Sequence, residues 1–322
     1  MEIPTLRDVL LARQAIRPYL APTPFYHYPA LDALAGAQVW IKHENHQPIG
    51  AFKVRGGINL VSRLAPEERA RGLIAASTGN HGQSIAYAGR LFGAQVTIVV
   101  PEGANPGKVA AMQGLGATVL FHGAKFDDSV KHAEALAAEH GYRYVHAGNE
   151  PLLIAGVATY ALEMVEQEPD LDAIFVPVGS GTGLAGVCIA AKALSPSVRV
   201  IGVQSAESPA GHDSWRAGQI VAGRNDSFAE GIATGRGIEL PQQVFRGRLD
   251  DFVLVPDAAI RQAMVWLIER AQTLAEGAGA SPLAAIMQMK DQLAGKKVGM
   301  VCSGGNSSLD HLRQALNAAA SS

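Results

Sequence analysis

Cysteine is scarce in this sequence. Only two cysteines occur, Cys188 and Cys302, far apart and each inside an apolar segment. We interpret both as buried, small apolar residues in a reducing compartment. A disulfide framework and a thiolate site are therefore excluded.

Runs of like charge and long apolar runs are also missing. The 27 basic and 29 acidic residues give a formal net charge of −2, without any run of five like charges. This excludes the electrostatic surface that nucleic acids or anionic membranes require. No apolar run reaches about 18 residues, and the charged N-terminus "MEIPTLRDVLLARQ" has no signal-peptide core. We expect a cytoplasmic protein whose partner is a small molecule.

What the sequence does contain is an alternation of short β-branched runs with helix-length stretches. Runs such as "GLIAAST", "AQVTIVVP" and "AIFVPVG" are separated by segments rich in Ala and Leu. This alternation predicts parallel sheets covered by helices on both faces, which is an α/β fold. The runs form two groups, within 72–148 and from 173 onward. The sequence thus predicts two doubly wound parallel-sheet domains with a ligand cleft at the carboxyl ends of the strands.

One lysine has unusual neighbours. Lys53, in "QPIGAFKVRGGINL" (47–60), opens a predicted helix among apolar residues and glycines. These neighbours would desolvate the amine and lower its pKa toward the range of a nucleophile. The alternative is a lysine whose stem packs on apolar surface while its amine reaches water. On its own, the stretch favours the second interpretation.

A polar loop follows one of the predicted strands and precedes a helix. It contains Ser77, Thr78, Gly79, Asn80, His81 and Gly82. Small hydroxyl groups and consecutive backbone N–H groups at a helix N-terminus suit a carboxylate. An N-cap with an Asx turn explains one or two of these residues, but not the whole run. The loop therefore predicts an anion site.

A second loop is rich in glycine. The strand in 173–191 ends in Gly179, Ser180, Gly181, Thr182 and Gly183, after which a helix is predicted. Three glycines let a backbone approach a phosphate, and two hydroxyls can donate to it. Gly181, Gly183 and Gly186, with Glu207 further on, also match a dinucleotide fingerprint. A nicotinamide oxidoreductase therefore remains an alternative.

Two further loops are less specific. Ser303, in "KVGMVCSGGNSSLDHL" (297–312), is either a helix cap or a directed hydroxyl. Gly231 opens "GIATGRGIEL" (231–240), where the glycines indicate a close approach to the backbone. By contrast, "GANPGKV" (103–109) lacks the spacing and the hydroxyl of a nucleotide P-loop.

Taken in order, "GAFKVRGG", "STGNHGQ", "GSGTG" and "CSGGN" resemble the motifs of fold type II pyridoxal-phosphate (PLP) enzymes, a tryptophan synthase β-like fold. Within that group the chain is similar to threonine and serine dehydratases and serine racemases. The resemblance covers nearly the whole chain. It implies a large PLP-binding domain (1–65 and 150–322), a small mobile domain (66–149) and a homodimer or homotetramer.

The resemblance also implies a role for each loop. Lys53 would hold PLP as an internal Schiff base with Phe52 against the ring, and Ser303 would face the pyridine nitrogen. Asn80 would bond the 3′ oxygen, and Gly231 would lie near the ring. The phosphate would be cradled by Gly179, Ser180, Gly181, Thr182 and Gly183. The substrate carboxylate would be received by Ser77, Thr78, Gly79, Asn80 and His81.

The implied reaction is a β-elimination of amino-acid catabolism. Lys53, released from PLP, would take the α-proton of a β-hydroxy amino acid such as L-threonine or L-serine. Loss of the β-hydroxyl would lead to a 2-oxo acid and ammonia. A neutral serine at the ring nitrogen makes PLP a weaker electron sink, which favours prompt elimination. The nicotinamide alternative explains only residues 181–207.

The chain departs from the family pattern at two positions. Thr78 stands where serine racemases have a second acid-base serine, so Thr78 is a second candidate catalytic residue and racemisation stays open. Gln204 stands where some relatives have a metal-binding glutamate, so we expect no metal. The chain also ends without the long regulatory region of biosynthetic threonine dehydratases, which favours a catabolic role.

Overall fold

The structure is a computed structural model that describes residues 1–319. Its strands are β1 (Phe25–His27), β2 (Gln38–His43), β3 (Leu73–Ala76), β4 (Val96–Val100), β5 (Thr118–Phe121), β6 (Arg143–Tyr144), β7 (Ala173–Pro177), β8 (Arg199–Ser205), β9 (Asp251–Val255) and β10 (Lys297–Cys302).

Its helices are α1 (Leu6–Ile16), α2 (Pro29–Ala35), α3 (Lys53–Arg63), α4 (Pro66–Arg71), α5 (Asn80–Phe92), α6 (Pro106–Gly114), α7 (Phe126–His140), α8 (Pro151–Val157), α9 (Thr159–Gln167), α10 (Thr182–Leu194), α11 (Ala210–Ala217), α12 (Glu239–Phe245), α13 (Asp257–Ala271), α14 (Gly277–Gln288), α15 (Lys290–Leu293) and α16 (Leu309–Ala319). Two 3₁₀ helices span Glu44–His46 and Glu230–Ile232.

The strands form two sheets. One has six strands in the order β1-β2-β10-β7-β8-β9, and the other has four in the order β5-β4-β3-β6. Every pairing is parallel except that of β1 with β2. The predicted α/β fold is confirmed. The predicted strands did not include β1, because three residues are too few to show an alternation.

The six-stranded sheet is covered on both faces. Alternate residues of its central strands enter different apolar clusters: Phe175 and Met300 pack with α13 and α14, whereas Ile174 and Val301 pack with α9 and α10. All five residues of β7 are buried. Burial on both faces explains why this strand is a continuous apolar run in the sequence.

The four-stranded sheet is smaller and less covered. All four residues of β3 are buried, but three of the four residues of the edge strand β5 are exposed. The other edge strand, β6, has only two residues. This sheet contributes the polar loop that joins β3 to α5.

A buried ion cluster holds the start of α3. The Arg55 guanidinium donates to Glu44 at 2.7 and 2.8 Å and to Glu163 at 2.6 and 2.8 Å. Lys42 donates to Glu163 at 2.5 Å. Buried charges are tolerated only when they are paired, and breaking such a pair is costly. The cluster therefore fixes the backbone two residues after Lys53.

Both cysteines are free and buried. Within residues 1–319, none of the helices has the length and apolar character needed to cross a membrane.

Candidate active site

A cavity of about 840 Å³ lies where the carboxyl ends of strands from both sheets meet. Its wall includes every site residue predicted from the sequence: Phe52, Lys53, Ser77, Thr78, Gly79, Asn80, His81, Gly179, Ser180, Gly181, Thr182, Gly183, Gly231 and Ser303. Residues up to 251 positions apart in the sequence are thus brought to one place.

Lys53 is the first residue of α3, and its amine lies deep in the cavity. Nζ lies 2.8 Å from Ser180 Oγ and 2.9 Å from Thr182 Oγ1, and 3.5 Å from the Ala147 carbonyl oxygen. None of these partners is a carboxylate. Burial lowers the pKa of Lys53 to about 7, because desolvation disfavours the charged amine. A large fraction of the amine is neutral at neutral pH, unlike the amine of an exposed lysine.

The glycine-rich loop after β7 is closely packed against the loop that contains Gly231. A Cβ added at Gly179 would lie 2.1 Å from the Gly231 carbonyl oxygen, so no side chain can be accommodated there. Gly181 has a φ of +86° and caps α10. The first N–H groups of α10 have no acceptor within the helix. They point out of its N-terminal end, which lies at the cavity. The loop is built to bind an anion.

A buried tyrosine supports this loop. The Tyr160 hydroxyl donates to the Gly183 carbonyl oxygen at 3.0 Å. Its ring also meets the Phe52 ring edge to face, with ring centroids 6.1 Å apart. Tyr160 therefore ties the anion loop to the residue that precedes Lys53.

The polar loop after β3 begins α5. The Ser77 hydroxyl accepts from the backbone N–H of Gly79 at 3.2 Å and of Gly82 at 2.9 Å, so Ser77 acts as a cap. Half-buried Thr78 and Asn80 face the cavity. The N–H groups of Asn80 and His81 open the helix, where backbone donors lack helical acceptors.

His81 is neutral in this setting. Its Nε2 lies 3.0 Å from the Val145 carbonyl oxygen, and its buried Nδ1 has no partner among the described residues. Burial, and secondarily the nearby Lys53, lower the pKa of His81 to about 3. His81 therefore contributes backbone and ring dipoles to the loop, not a positive charge.

Ser303 follows β10 at the base of the cavity and is 4% exposed. Its carbonyl oxygen accepts from the Phe52 N–H at 3.0 Å, which joins the end of β10 to the start of α3. The Ser303 hydroxyl faces the same cavity as Lys53.

Sequence reasoning missed several polar residues in the wall or directly behind it. Glu276 accepts from Asn80 Nδ2 at 2.7 Å, and Asn306 Nδ2 donates to Asn80 Oδ1 at 2.7 Å. Lys108 pairs with Glu230 at 2.6 Å. Lys108 lies in the "GANPGKV" segment, which lacks the pattern of a P-loop, and nothing in the sequence near Glu276 suggests a site.

Gln204, on which the prediction of no metal rests, lies outside the cavity wall. So does Glu207, which completes the dinucleotide fingerprint. Gln204 donates to the Ile232 carbonyl at 3.3 Å and accepts from the His212 N–H at 3.0 Å. Glu207 accepts from the Asp257 N–H at 3.1 Å. In residues 1–319, no group of three or more His, Cys, Asp or Glu side chains is arranged to hold a metal ion.

Comparisons with known proteins agree with this geometry. The family described as "Pyridoxal-phosphate dependent enzyme" matches residues 16–304. An L-threonine ammonia-lyase of Thermotoga maritima is 37% identical over 97% of this chain and 78% of its own length. An L-threo-3-hydroxyaspartate ammonia-lyase of Saccharomyces cerevisiae is 39% identical over 95% of this chain and 94% of its own. The crystal structure of serine racemase from Dictyostelium discoideum aligns with a TM-score of 0.89 and 34% identity, covering 95% of this chain and 99% of that one.

Proposed function

Since this chain belongs to the pyridoxal-phosphate dependent enzyme family, we propose Lys53 as the residue that binds PLP covalently and then acts as the general base. The chain is a PLP-dependent ammonia-lyase of the threonine and serine dehydratase type, acting on β-hydroxy amino acids. The predicted fold type, cofactor and reaction class are confirmed. The observation that carries the role of Lys53 is its buried amine beside the anion loop.

The residues of the cavity fit PLP. The crowded contact of Gly179 with Gly231 and the positive φ of Gly181 leave the backbone N–H groups of the anion loop open to a phosphate. We assign the phosphate to Gly179, Ser180, Gly181, Thr182 and Gly183. Phe52 would lie against the ring, with Gly231 beside it. Ser303 would meet the ring nitrogen, and Asn80 the 3′ oxygen.

Lys53 is suited to moving a proton. When bound, PLP supplies an electron sink for the electron pair left at the substrate Cα. A neutral Lys53 Nζ can accept the α-proton, because its pKa of about 7 lies near the working pH of a general base. The hydroxyls of Ser180 and Thr182 accept hydrogen bonds from Nζ and keep the amine in place. We place the substrate carboxylate on the N–H groups of the Ser77–His81 loop.

Thr78 supports a second activity. It is half-buried in the wall of the cavity that Lys53 also lines, and it belongs to the loop after β3 of the four-stranded sheet. We assign Thr78 as the hydroxyl that can reach the opposite face of Cα, which racemisation requires. Its extra methyl group makes this the minor reaction. Release of D-serine from L-serine, measured beside 2-oxo acid, tests it, and a Thr78→Ala variant should lose only the D-serine.

The cavity wall favours a substrate with an uncharged β-substituent. Phe126, Val130 and Ile238 contribute apolar surface to this wall. Besides Lys53, the wall contains the basic residue Lys108. Its charge is already paired with that of Glu230 at 2.6 Å. A distal carboxylate would have to compete with Glu230 for Lys108. We therefore propose L-threonine and L-serine as better substrates than L-threo-3-hydroxyaspartate.

The visible absorption spectrum tests the proposed function directly. The purified protein with PLP should be yellow, and its band should shift with L-threonine or L-serine as a 2-oxo acid is released. A protein that stays colourless and inert after PLP is added would contradict the proposal.

We also propose the assembly that the family resemblance implies. Residues 1–65 and 150–322 would form the large PLP-binding domain, and residues 66–149 a small mobile domain. The protein would be cytoplasmic and form a homodimer or homotetramer. Sedimentation equilibrium of the holoenzyme gives the subunit number, and a monomer would refute the assembly.

A further inference from the structure

We propose that Glu276 is a positioning residue: it fixes the side-chain amide of Asn80 so that one Asn80 N–H points to the cofactor 3′ oxygen. The inference rests on the proposed role of Asn80. Glu276 would act on that oxygen only through Asn80, which donates to Glu276.

Glu276 is held rigidly. It lies immediately before α14, is 8% exposed, and its backbone N–H donates to the Gly304 carbonyl at 3.0 Å. A Cβ on Gly304 would come within 2.5 Å of Glu276 Oε1, and a Cβ on Gly231 within 3.5 Å. The carboxyl group thus fills a slot between two glycine loops and has little room to change its rotamer.

One end of the Asn80 amide is bound to this carboxyl group. Asn80 Nδ2 donates to Glu276 Oε1 at 2.7 Å. Burial raises the pKa of Glu276, but a carboxyl group offers an acceptor oxygen in either protonation state. Since the Asn80 oxygen already accepts from Asn306 Nδ2, the contact with Glu276 engages the nitrogen of the Asn80 amide, not its oxygen.

The other end of the amide is bound to a donor. Asn306 Nδ2 lies 2.7 Å from Asn80 Oδ1 and also donates to the Ile49 carbonyl at 2.8 Å. The Asn306 side chain packs on Gly50, where a Cβ would lie 2.7 Å from Asn306 Oδ1. An acceptor at one end and a donor at the other specify a single orientation of the amide.

This orientation leaves one hydrogen available. A primary amide has two N–H donors and one carbonyl oxygen. Glu276 takes one donor and Asn306 occupies the oxygen, so the second N–H remains for the cavity that Asn80 lines. Without Glu276 the amide can rotate and present its oxygen to the cofactor oxygen, which replaces a hydrogen bond by repulsion between two acceptors.

The test compares Glu276→Met, which keeps the volume without an acceptor, with Glu276→Gln, which keeps an acceptor. Each is made in the wild type and in Asn80→Ala, and the readouts are the spectrum of bound PLP and its dissociation constant. Glu276→Met should shift the ratio of the long- to the short-wavelength band and weaken PLP about tenfold. Glu276→Gln should keep most of the wild-type band ratio and most of the wild-type affinity for PLP. In the Asn80→Ala background, Glu276→Met should add nothing.

Asn306→Asp provides a second route if the methionine variant does not fold. It places acceptors at both ends of the Asn80 amide and should shift the band ratio in the same direction. The inference is overturned if Asn80→Ala changes the spectrum while Glu276→Met and Asn306→Asp do not. An unchanged spectrum in Asn80→Ala overturns the role of Asn80 and the inference with it, although Lys53 would keep its role.

Discussion

The cofactor side of the cavity rests on strands that are buried along their length, whereas the substrate side rests on a sheet with exposed edges. β7 and β10 lie between apolar layers and end in the anion loop and Ser303. β3 is buried, but its sheet ends in exposed β5 and two-residue β6. Burial on both faces gives the cofactor side the greater resistance to local opening.

The two sides meet through apolar packing of α3 against β3 and α5, with Leu60 and Val61 in the shared cluster, and through a few polar contacts. The Ser84 hydroxyl donates to the Lys53 carbonyl at 2.6 Å, Asn80 bonds to Glu276 and Asn306, and Lys108 pairs with Glu230. Of these contacts the Lys108–Glu230 pair is the exposed one, and exposed ion pairs can exchange partners at low cost. The cofactor site is therefore preformed, while on the substrate side the Lys108–Glu230 pair is a contact that a substrate can change.

The largest effect should come from the cofactor side, at Lys53. Lys53→Ala removes both the attachment point and the base, so turnover should fall by at least about 10³-fold while the thermal unfolding curve stays similar. Oxo-acid release and the visible spectrum are the measurements. Lys131→Ala, on an exposed position of α7, is the control that should change neither. Full activity in Lys53→Ala would contradict the proposed mechanism.

The next effect tests whether the cofactor side is as rigid as its burial indicates. In Gly179→Ala the new Cβ would meet the Gly231 carbonyl at 2.1 Å, so the anion loop must shift. Overpacking of this kind costs about 1–3 kcal/mol, which corresponds to PLP binding about 5- to 150-fold weaker. Gly114→Ala, where a Cβ meets nothing within 4 Å, is the matched control in a titration with PLP. Equal PLP affinities of the two variants would mean that the anion loop can shift at little cost.

A smaller effect should appear on the substrate side. Glu230→Gln frees Lys108 to bind a distal carboxylate, so the ratio of kcat/KM for L-threo-3-hydroxyaspartate over L-threonine should rise about tenfold. Lys108→Met in the same background should reverse the gain. If both substrates change in parallel, the ion pair only holds the two sides together and does not select the substrate.

The smallest effect concerns the pH dependence of Lys53. Only the neutral amine attacks a carbonyl, and burial sets the pKa of Lys53 to about 7. The rate at which the apoprotein takes up pyridoxal, which lacks the phosphate, should therefore rise only about twofold between pH 7 and 9. An unperturbed lysine, with a pKa near 10.4, would give a rise of about 100-fold. A rise of that size would contradict the buried environment of the amine.

The sequence predicts the fold and the wall of the cavity because each motif follows a strand of a parallel sheet. Lys53, Thr182 and Ser303 converge since carboxyl ends of parallel strands share an edge. The contacts between elements could not be predicted in the same way. Asn80 and Glu276 are 196 positions apart, and neither sequence context specifies the other. Such pairs depend on how the two sheets pack, which local patterns do not encode.

The strand order has a consequence for synthesis of the chain. β10 occupies the middle of the six-stranded sheet, between β2 and β7, although it is the last strand in the sequence. The four-stranded sheet, within Leu73–Tyr144, is complete much earlier. On the ribosome, the smaller sheet can therefore fold while the larger one still exposes an unfilled central gap. We therefore expect the cofactor to bind late in biogenesis, and chains truncated before residue 297 should bind chaperones and not PLP.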